Sequence, residues 1–325
     1  MKHKKLTIGT RGSDLAVRQT DWLVEQLNNL HPEIVVDTLL IMTTGDKILD
    51  SPLSKIGDKG LFTKEIEHAL LDGRIDLAVH SLKDLPTLVP QGLAIGAITK
   101  REDIRDVFIS HAEKKHTSFK SVPLHGAIAT GSLRRKCQLL HHRPDLRIVD
   151  LRGNLRTRRE KLEQSDWDGM VLARAGLLRL GWTDMITDIF EPDFMMPAVG
   201  QGALGVEIRD TDSELRALLV PLHHTPTHQA TSGERALLRE LEGGCQIPIG
   251  TYGRIEGDEF RLDAMVGSLN GKRVVRGSIH GPSTESELLG KRLAHELVEK
   301  GAGAILEEIR NAVGTTHGSS AGRDV

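Results

Sequence analysis

Aromatic residues and cysteines are scarce in this chain of 325 residues, at 3% of the sequence and two residues respectively. Two cysteines form at most one disulfide, a pattern typical of a reducing compartment, so we expect the cytoplasm. The sequence has no apolar run long enough for a signal peptide or a membrane span, so we expect no membrane association. The shortage of stacking aromatics disfavours binding to single-stranded nucleic acid.

A large net charge is absent as well, because 43 Lys and Arg face 45 Asp and Glu, for a formal net charge of −2. No overall field therefore attracts nucleic acid or anionic lipid. Residues 131–179, however, hold ten Arg and two Lys against six acidic residues, a local net charge of +6. Because guanidinium forks bind carboxylates and phosphates bidentately, this window predicts an anion site. Arg156, Arg159 and Arg174 fit a solvated helix face equally well.

The chain is too long for one ordinary core, and its pattern predicts two α/β lobes and a smaller third domain. Strand-like "KLTIGT" and helical "SDLAVRQTDWLVEQLNNL" begin an alternation typical of a parallel sheet, and "GAIAT" begins a second such cycle. "IGTRGS" and "IATGS" are similar strand-to-helix turns, so we expect lobes of related design. In "YGRIEGDEFRLDAMVGSLNG", alternation and turn signals predict an antiparallel sheet within an α+β domain.

Two strand-to-helix turns, Gly12–Ser13 and Gly131–Ser132, each place a serine at a predicted helix start. Serine is a preferred N-cap, which is the simpler interpretation of either turn taken alone. The free backbone N–H groups of a helix start also attract anions, and Arg11, Arg134 and Arg135 add positive charge nearby. The occurrence of two such turns favours anion binding.

The segment "HSLKDLPT" places Lys83 and Asp84 directly after the predicted strand "DLAV". A cation beside a carboxylate at the carboxyl end of a strand is suited to bind an acidic ligand and to stabilise positive charge on it. An ordinary exposed turn before Pro86 is the alternative. Arg152 ends another β-rich run, where the strand-to-helix loops of α/β sheets collect ligands. We assign no chemistry to His80.

Glycine-rich "VGQGALG", residues 199–205, is weak as a phosphate loop and indicates a close-packed crossing segment. The histidine pairs at 141–142 and 223–224 lack zinc spacing, so no metal site is predicted. Cys245 in "LEGGCQIPIG" has flanking glycines and no adjacent His base, which suits a tether better than an activated nucleophile. Cys137, in the helical run "RRKCQLL", is predicted to pack in the core.

Six segments, in chain order, closely resemble the porphobilinogen deaminase family: "GTRGSDLA", "HSLKDLPT", "ATGSLRRK", "LRGNLRTR", "VGQGALG" and "LEGGCQIPIG". The resemblance runs from residue 5 to about 310 and implies an α/β fold, with two lobes like type II periplasmic binding proteins plus a third, smaller α+β domain. It implies a discontinuous first lobe (1–100 with 199–220), an Arg-rich second lobe (101–198) and a cysteine-bearing domain (221–310). Residues 311–325 are polar and glycine-rich, which predicts a disordered tail.

For function, the resemblance implies a transferase of tetrapyrrole biosynthesis. Such an enzyme joins four porphobilinogen molecules head to tail with loss of ammonia, then hydrolyses the linear hydroxymethylbilane from the protein. The family implies a covalent dipyrromethane cofactor, joined by a thioether to Cys245, and a monomer; the composition, as above, predicts no nucleic-acid partner. Because the growing chain accumulates acetate and propionate groups, the arginine-rich window matches it as counter-charge.

The resemblance also assigns roles to single residues. It implies that Asp84 is the catalytic carboxylate, which accepts hydrogen bonds from pyrrole N–H groups and stabilises the cation left when ammonia departs. The implied cofactor-binding residues are Cys245, Lys83, Asp84, Ser132, Arg134 and Arg135. The implied substrate-binding residues are Arg11, Ser13, Arg152, Arg158 and Arg179, with Lys55 and Lys59 as further candidates.

Two other functions compete with this one. A non-catalytic carboxylate-binding protein of the same two-lobed architecture explains the arginines and the serine turns, but it leaves Cys245 and Asp84 without a purpose. A nucleic-acid binder would use the basic window, but such proteins usually add stacking aromatics, which are scarce here.

Overall fold

A computed structural model describes residues 5–47, 60–241 and 247–318. Within these ranges the strands are β1 (Lys5–Thr10), β2 (Val35–Leu40), β3 (Leu77–Ser81), β4 (Leu93–Ile98), β5 (Asp106–Ser110), β6 (Ala127–Ala129), β7 (Arg147–Val149), β8 (Gly169–Ala173), β9 (Asp188–Phe190), β10 (Leu204–Arg209), β11 (Ile249–Glu256), β12 (Glu259–Gly267) and β13 (Val274–Pro282). The helices are α1 (Asp14–Leu30), α2 (Thr44–Lys47), α3 (Lys64–Leu71), α4 (Leu133–His142), α5 (Leu155–Glu163), α6 (Arg174–Leu180), α7 (Ser213–Leu219), α8 (Thr225–Glu240), α9 (Ser286–Leu297) and α10 (Gly303–Gly318).

The first two sheets have five strands each and share one topology. The first has the order β2-β1-β3-β10-β4, and the second has the order β7-β6-β8-β5-β9. In each sheet three strands at one side pair in parallel, and one strand, β10 or β5, is antiparallel to both of its neighbours. With their helices these sheets form two α/β lobes of related design, as the sequence predicts.

Both sheets are mixed, whereas the alternation of strands and helices predicts parallel ones. The antiparallel strand of each lobe is the first strand after the chain crosses from the other lobe. β5 follows a crossing at 99–105, and β10 follows a crossing at 191–203. In the first lobe, β4 ends where the chain leaves the lobe, and β10 begins where the chain returns beside it. β10 therefore runs antiparallel to β4. This is a long-range property that local hydrophobic periodicity does not encode.

The helices cover the sheets with apolar residues at helical spacing. In the first lobe Leu23 and Leu27 of α1 lie one turn apart and belong to one buried cluster with Leu6 and Ile8 of β1, all at most 1% exposed. Burying such a side chain stabilises the fold by about 1.5–3 kcal/mol relative to leaving it in water. This core fixes the end of β1, where the first predicted anion turn begins.

The third sheet is the antiparallel meander β11-β12-β13, as predicted. Phe260 of β12 is fully buried beside α8, where a Cβ at Gly233 would lie 2.3 Å from the Phe260 ring. A Cβ at Gly290 of α9 would lie 2.1 Å from the Gly233 carbonyl oxygen. Glycine at both positions therefore allows the two helices and the sheet to approach closely.

Glu234 of α8 joins the third domain to both crossings between the lobes. Its buried carboxylate accepts hydrogen bonds from the Arg101 guanidinium of the first crossing at 2.7 and 3.1 Å. It also accepts a hydrogen bond from the Gly200 N–H of the second crossing at 2.7 Å, and one from the Gly253 N–H of β11 at 2.7 Å. One side chain thus connects all three parts of the molecule.

The last described helix extends into the segment predicted to be a disordered tail. α10 continues to Gly318, beyond its buried residues Ile305, Leu306 and Ile309. Helix propagation adds one hydrogen bond per residue, so a helix anchored by packing continues past polar residues. Among the described residues, no helix has the length and apolar character needed to cross a bilayer.

Candidate active site

Strand-to-helix turns of the two lobes lie close enough for their charges to interact, across what we call the gap between the lobes. The 3₁₀ turn Leu82–Asp84 follows β3, Ser132 follows β6, and Arg152 follows β7. Each is at the carboxyl end of a parallel strand, which is where open α/β sheets bind ligands. Predicted site residues from separate parts of the sequence are therefore brought to one place.

Lys83 and Asp84 lie side by side in this 3₁₀ turn. The Asp84 side chain is exposed, and it forms no hydrogen bond or ion pair with another described residue. Burial lowers the pKa of Lys83, Asp84 opposes that change, and the positive charges of Arg135 and Arg134 in the other lobe reinforce it. The pKa of Lys83 in the first lobe is therefore affected by the arginine charges of the second lobe.

The glycine-rich segment 199–205 packs behind this turn. Gly200 has a φ of +70°, and a Cβ there would lie 3.3 Å from the backbone nitrogen of Lys83. Gly202 has a φ of +90°, and a Cβ there would lie 2.5 Å from the carbonyl oxygen of Glu102. The prediction of a close-packed crossing segment is confirmed, since only glycine suits both the backbone conformation and the space.

Arg134 and Arg135, in the first turn of α4, are buried around Asp106. Nη1 of Arg134 and Nη2 of Arg135 each lie 2.8 Å from one carboxylate oxygen of Asp106. Burial alone would raise the pKa of Asp106, but the two guanidinium groups outweigh it and hold that pKa far below its usual range. Sequence analysis missed Asp106, because nothing in "RDVFIS" shows that this acidic residue is buried.

Asp106→Asn is expected to destabilise the fold at neutral pH. Asparagine keeps the shape but leaves two buried guanidinium groups without a counter-charge, and breaking a buried ion pair costs about 3–5 kcal/mol. Because the folded-state pKa is lowered, this stabilisation is complete above the ordinary aspartate pKa of about 4 and is lost as the pH falls towards the folded value. Urea unfolding from about pH 7 to about pH 3 measures the difference in free energy of unfolding between the two proteins. A difference that stays constant over that range would contradict the prediction.

Both predicted serine caps are confirmed. Oγ of Ser13 accepts a hydrogen bond from the Ala16 N–H, and Oγ of Ser132 accepts one from the Arg135 N–H, each at 3.4 Å. A capping hydroxyl still has its own hydrogen to donate. The caps therefore leave both hydroxyl groups able to donate to a ligand. That the two serines contact a ligand stays a prediction.

Arg158 and Arg152 extend the positive charge of the second lobe. Nε of Arg158 donates to the Gly153 carbonyl oxygen at 2.8 Å. Burial, together with the charges of Arg135 and Arg152, lowers the pKa of Arg158 to about 10, and Asp84 of the first lobe opposes this change. The guanidinium is thus still charged at neutral pH, and it interacts across the gap with the exposed carboxylate.

Arg11, at the end of β1, is already paired. Its guanidinium binds Asp46 through Nε at 3.2 Å and Nη2 at 2.5 Å, and it lies 4.3 Å from the centroid of the Phe62 ring. Burial alone would raise the pKa of Asp46, but hydrogen bonds from Arg11 and Thr43 lower it overall. Arg11 therefore reaches a ligand carboxylate only by sharing or leaving Asp46.

Arg179 contacts the second crossing. Its Nη2 donates to the Gly202 carbonyl oxygen at 2.7 Å, and burial lowers the pKa of Arg179 while the charge of Glu102 opposes that change. The three arginines whose interpretation was open all form ion pairs: Arg156 with Asp14, Arg159 with Glu163, and Arg174 with Asp103. The first two of these arginines are exposed, which confirms a solvated helix face for them.

Cys245, Lys55 and Lys59 lie outside the described residues. Cys137 is fully buried, and burial raises the pKa of its thiol to about 11, so its predicted place in the core is confirmed. Over the described ranges, no group of three or more His, Cys, Asp or Glu side chains is arranged to hold a metal ion.

Five basic side chains at the gap form what we call the cation cluster: Lys83, Arg134, Arg135, Arg152 and Arg158. The Nε atoms of Arg134, Arg135 and Arg152 are buried without a hydrogen-bond partner, and Nε of Arg152 lies 3.6 Å from a carboxylate oxygen of Asp150. A buried donor without a partner costs about 1–3 kcal/mol, and a ligand carboxylate would remove that cost. The cation cluster therefore fits a ligand that carries several carboxylates.

Two family models match most of the chain. The model described as "Porphobilinogen deaminase, dipyromethane cofactor binding domain" matches residues 6–217, and "Porphobilinogen deaminase, C-terminal domain" matches residues 229–299. The porphobilinogen deaminases of Carboxydothermus hydrogenoformans and Chloroherpeton thalassium are 52% and 51% identical over 307 and 311 residues, which cover 94% of this chain and 98% of each relative. That of Syntrophobacter fumaroxidans is 46% identical over 312 residues, 96% of this chain and 100% of the relative.

Solved structures give more distant likenesses. The periplasmic aliphatic sulphonate binding protein SsuA from Escherichia coli is 14% identical, with a TM-score of 0.38, over 74% of this chain and 71% of that one. The ancestral amino acid-binding protein AncCDT-1 is 15% identical, with a TM-score of 0.37, over 74% of this chain and 96% of that one. On the strength of the family models and the near full-length relatives, the chain belongs to the porphobilinogen deaminase family, whose cofactor is dipyrromethane.

Proposed function

We propose that this chain joins four porphobilinogen molecules head to tail, with loss of one ammonia at each addition, and then hydrolyses the linear hydroxymethylbilane from the protein. Family membership gives the class of reaction. The observation that supports this site is the cation cluster: Lys83 lies beside Asp84 in the same turn, and Arg158 of the other lobe interacts with the Asp84 charge. Each added unit brings an acetate and a propionate, which require fixed positive charge.

In this proposal the cation cluster binds and orients the acidic chain. The guanidinium forks donate to its carboxylates, beginning with the unpartnered Nε atoms, and Lys83 adds a compact point charge. When bound, dipyrromethane supplies the pyrrole carbon to which the first substrate is joined. Because the arginines are held in place by Asp106 and by backbone carbonyls, they need little rearrangement during the reaction.

Asp84 has a different role, as the exposed carboxylate that faces this cluster. When the C–N bond of the substrate's aminomethyl group breaks, the bonding electrons leave with ammonia and the substrate pyrrole becomes cationic. Asp84 accepts a hydrogen bond from the pyrrole N–H and stabilises this charge. A new C–C bond then forms, and Asp84 assists removal of the proton from the carbon that attacked.

Intact-mass measurement tests the cofactor and its attachment together. Freshly purified protein is expected to exceed its sequence mass by two linked pyrrole units, and Cys245→Ala should lack that excess and be inactive. Cys137→Ala is the matched control, because the Cys137 thiol is buried and protonated at neutral pH. Folded wild-type protein without the excess, even after incubation with porphobilinogen, would instead favour carboxylate binding without catalysis.

The proposed domain limits are 1–100 with 199–220, 101–198 and 221–310. β10 supports the discontinuous first lobe, because it pairs with β3 and β4 in the first sheet. We also propose a cytoplasmic monomer that works without nucleic acid. The low cysteine content supports the cytoplasm, the scarcity of aromatic residues supports the absence of nucleic acid, and the family resemblance supports the monomer.

A further inference from the structure

Helix α8 of the third domain holds the segment that directly follows Asp84. Nη1 of Arg235 donates to the Leu85 carbonyl oxygen at 3.3 Å, and Nη2 donates to the Pro86 carbonyl oxygen at 2.6 Å. The planar guanidinium fork presents two donors in a fixed relation, so it binds two successive carbonyl groups at once. The backbone after Asp84 is therefore fixed from outside its own lobe.

Arg235 is an unusual residue to bury for packing alone. Its side chain is 6% exposed, and it forms no ion pair with a carboxylate among the described residues. Burial and the neighbouring charge of Arg239 lower the pKa of Arg235 to about 10, so the guanidinium is still charged at neutral pH. A buried charge without an opposite charge is costly, and the two carbonyl groups are what compensates it here.

Arg239, one helical turn further along α8, continues the same contact. Its Nη1 donates to the Thr87 carbonyl oxygen at 3.2 Å, and its Nη2 pairs with Glu287 of the neighbouring helix α9. Three consecutive carbonyl groups after Asp84 are thus bound by one helix. The contact at Thr87 is more exposed than the contact of Arg235.

The helix that makes these contacts is itself well fixed. Glu234, the residue before Arg235, binds Arg101 and Gly200 of the two crossings, as described above. At its other end α8 stops at Glu240, and the segment with Cys245 begins two residues later. The helix that contacts the segment after Asp84 is therefore itself attached to both crossings.

We infer that Arg235 is a positioning residue for the reaction: through the carbonyl groups of Leu85 and Pro86 it sets the place of the Asp84 carboxylate. The inference rests on the proposed function, since it presumes that Asp84 acts on the substrate. A reacting group that is held by a helix keeps its position more precisely than one on a free loop.

Arg235→Lys tests the inference, because lysine keeps the charge and loses the fork. We expect kcat to fall by about 10–100-fold, with KM within about twofold of wild type and the cofactor mass still present, since small displacements of a reacting group reduce rate rather than binding. Arg209→Lys is the matched control. Arg209 donates to the Leu70 and Ile75 carbonyl oxygens at 2.9 and 2.6 Å, at the end of β10 remote from the Asp84 turn, and unlike Arg235 it also pairs with a carboxylate, that of Asp76, at 2.9 Å. It should lose stability and retain its kcat.

A double-mutant cycle separates positioning from general damage. In an Asp84→Glu background the carboxylate is already displaced, so Arg235→Lys is expected to reduce kcat by less than about threefold. Equal losses in the wild-type and Asp84→Glu backgrounds would show that Arg235 does not act through Asp84. A fall in kcat that merely tracks the fraction of unfolded protein would contradict the inference as well.

Arg239→Gln provides a second variant if Arg235→Lys does not fold. It loosens the same segment at Thr87 from a more exposed position, and it is expected to reduce kcat by about threefold with the cofactor retained. A wild-type kcat in this variant would then reject the inference. The proposed function fails separately: normal turnover in Asp84→Asn removes Asp84 from the mechanism, whereas an inactive Asp84→Asn with normal kcat in Arg235→Lys rejects only the positioning role.

Discussion

Asp84→Asn is expected to reduce turnover by roughly 10²–10³-fold, the usual effect of removing one preorganised electrostatic group. Asparagine has nearly the same shape, so the substrate still fits, but the charge that stabilises the cationic substrate is gone. Because Asp84 is exposed and pairs with no described side chain, the free energy of unfolding should change by less than about 0.5 kcal/mol. The rate of hydroxymethylbilane release at saturating porphobilinogen measures the effect.

Two control variants make this result specific. Asp84→Glu keeps the negative charge but moves the carboxylate outward by one methylene group, so its rate should fall between those of wild type and Asp84→Asn. Asp72→Asn alters another exposed aspartate of the first lobe, which lies 3.8 Å from Arg74 and away from the gap, and it should have an ordinary rate. Turnover in Asp84→Asn within about threefold of wild type would exclude the charge from the mechanism.

Glu234→Gln is expected to lower the free energy of unfolding by about 3–5 kcal/mol, because it leaves the Arg101 guanidinium buried without its counter-charge. Arg101 is 10% exposed and Glu234 is fully buried, so water does not replace the lost interaction. The amide also has only one oxygen to accept the hydrogen bonds that come from Arg101, Gly200 and Gly253. Urea unfolding at neutral pH measures the loss.

Glu163→Gln is the matched control for this substitution. Glu163 forms an exposed pair with Arg159 at 2.8 Å on α5, and such pairs contribute at most about 0.5 kcal/mol. The same chemical change is therefore compared at a buried junction and at a solvated helix face. A Glu234→Gln protein as stable as Glu163→Gln would mean that the junction does not hold the three parts together.

Local features of the fold follow from the sequence, because they depend on neighbouring residues. The N-caps Ser13 and Ser132 follow from serine placed before apolar residues at helical spacing. The burial of Asp106 and the reversed direction of β5 and β10 do not follow from it. Both are decided by elements far away in the chain, and hydrophobic periodicity has no information about them.

The sequence predicts which turns contribute to the candidate site, but it does not predict how their side chains are arranged. Family resemblance names Arg11 and Arg158 together, but the structure pairs Arg11 with Asp46 and places Arg158 where it interacts with Asp84. Arg235 gives no signal in the sequence, because its partners are backbone carbonyl groups, which every residue has. Motifs thus predict the roles of the residues, whereas the partners of each side chain depend on tertiary packing.

The attachment of both crossings to Glu234 has a consequence for movement. Arg101 of the first crossing and Gly200 of the second donate to one carboxylate, so a displacement of one crossing relative to the other would break at least one of these hydrogen bonds. The surroundings of Lys83, against which Gly200 packs, therefore keep nearly constant dimensions at every cycle.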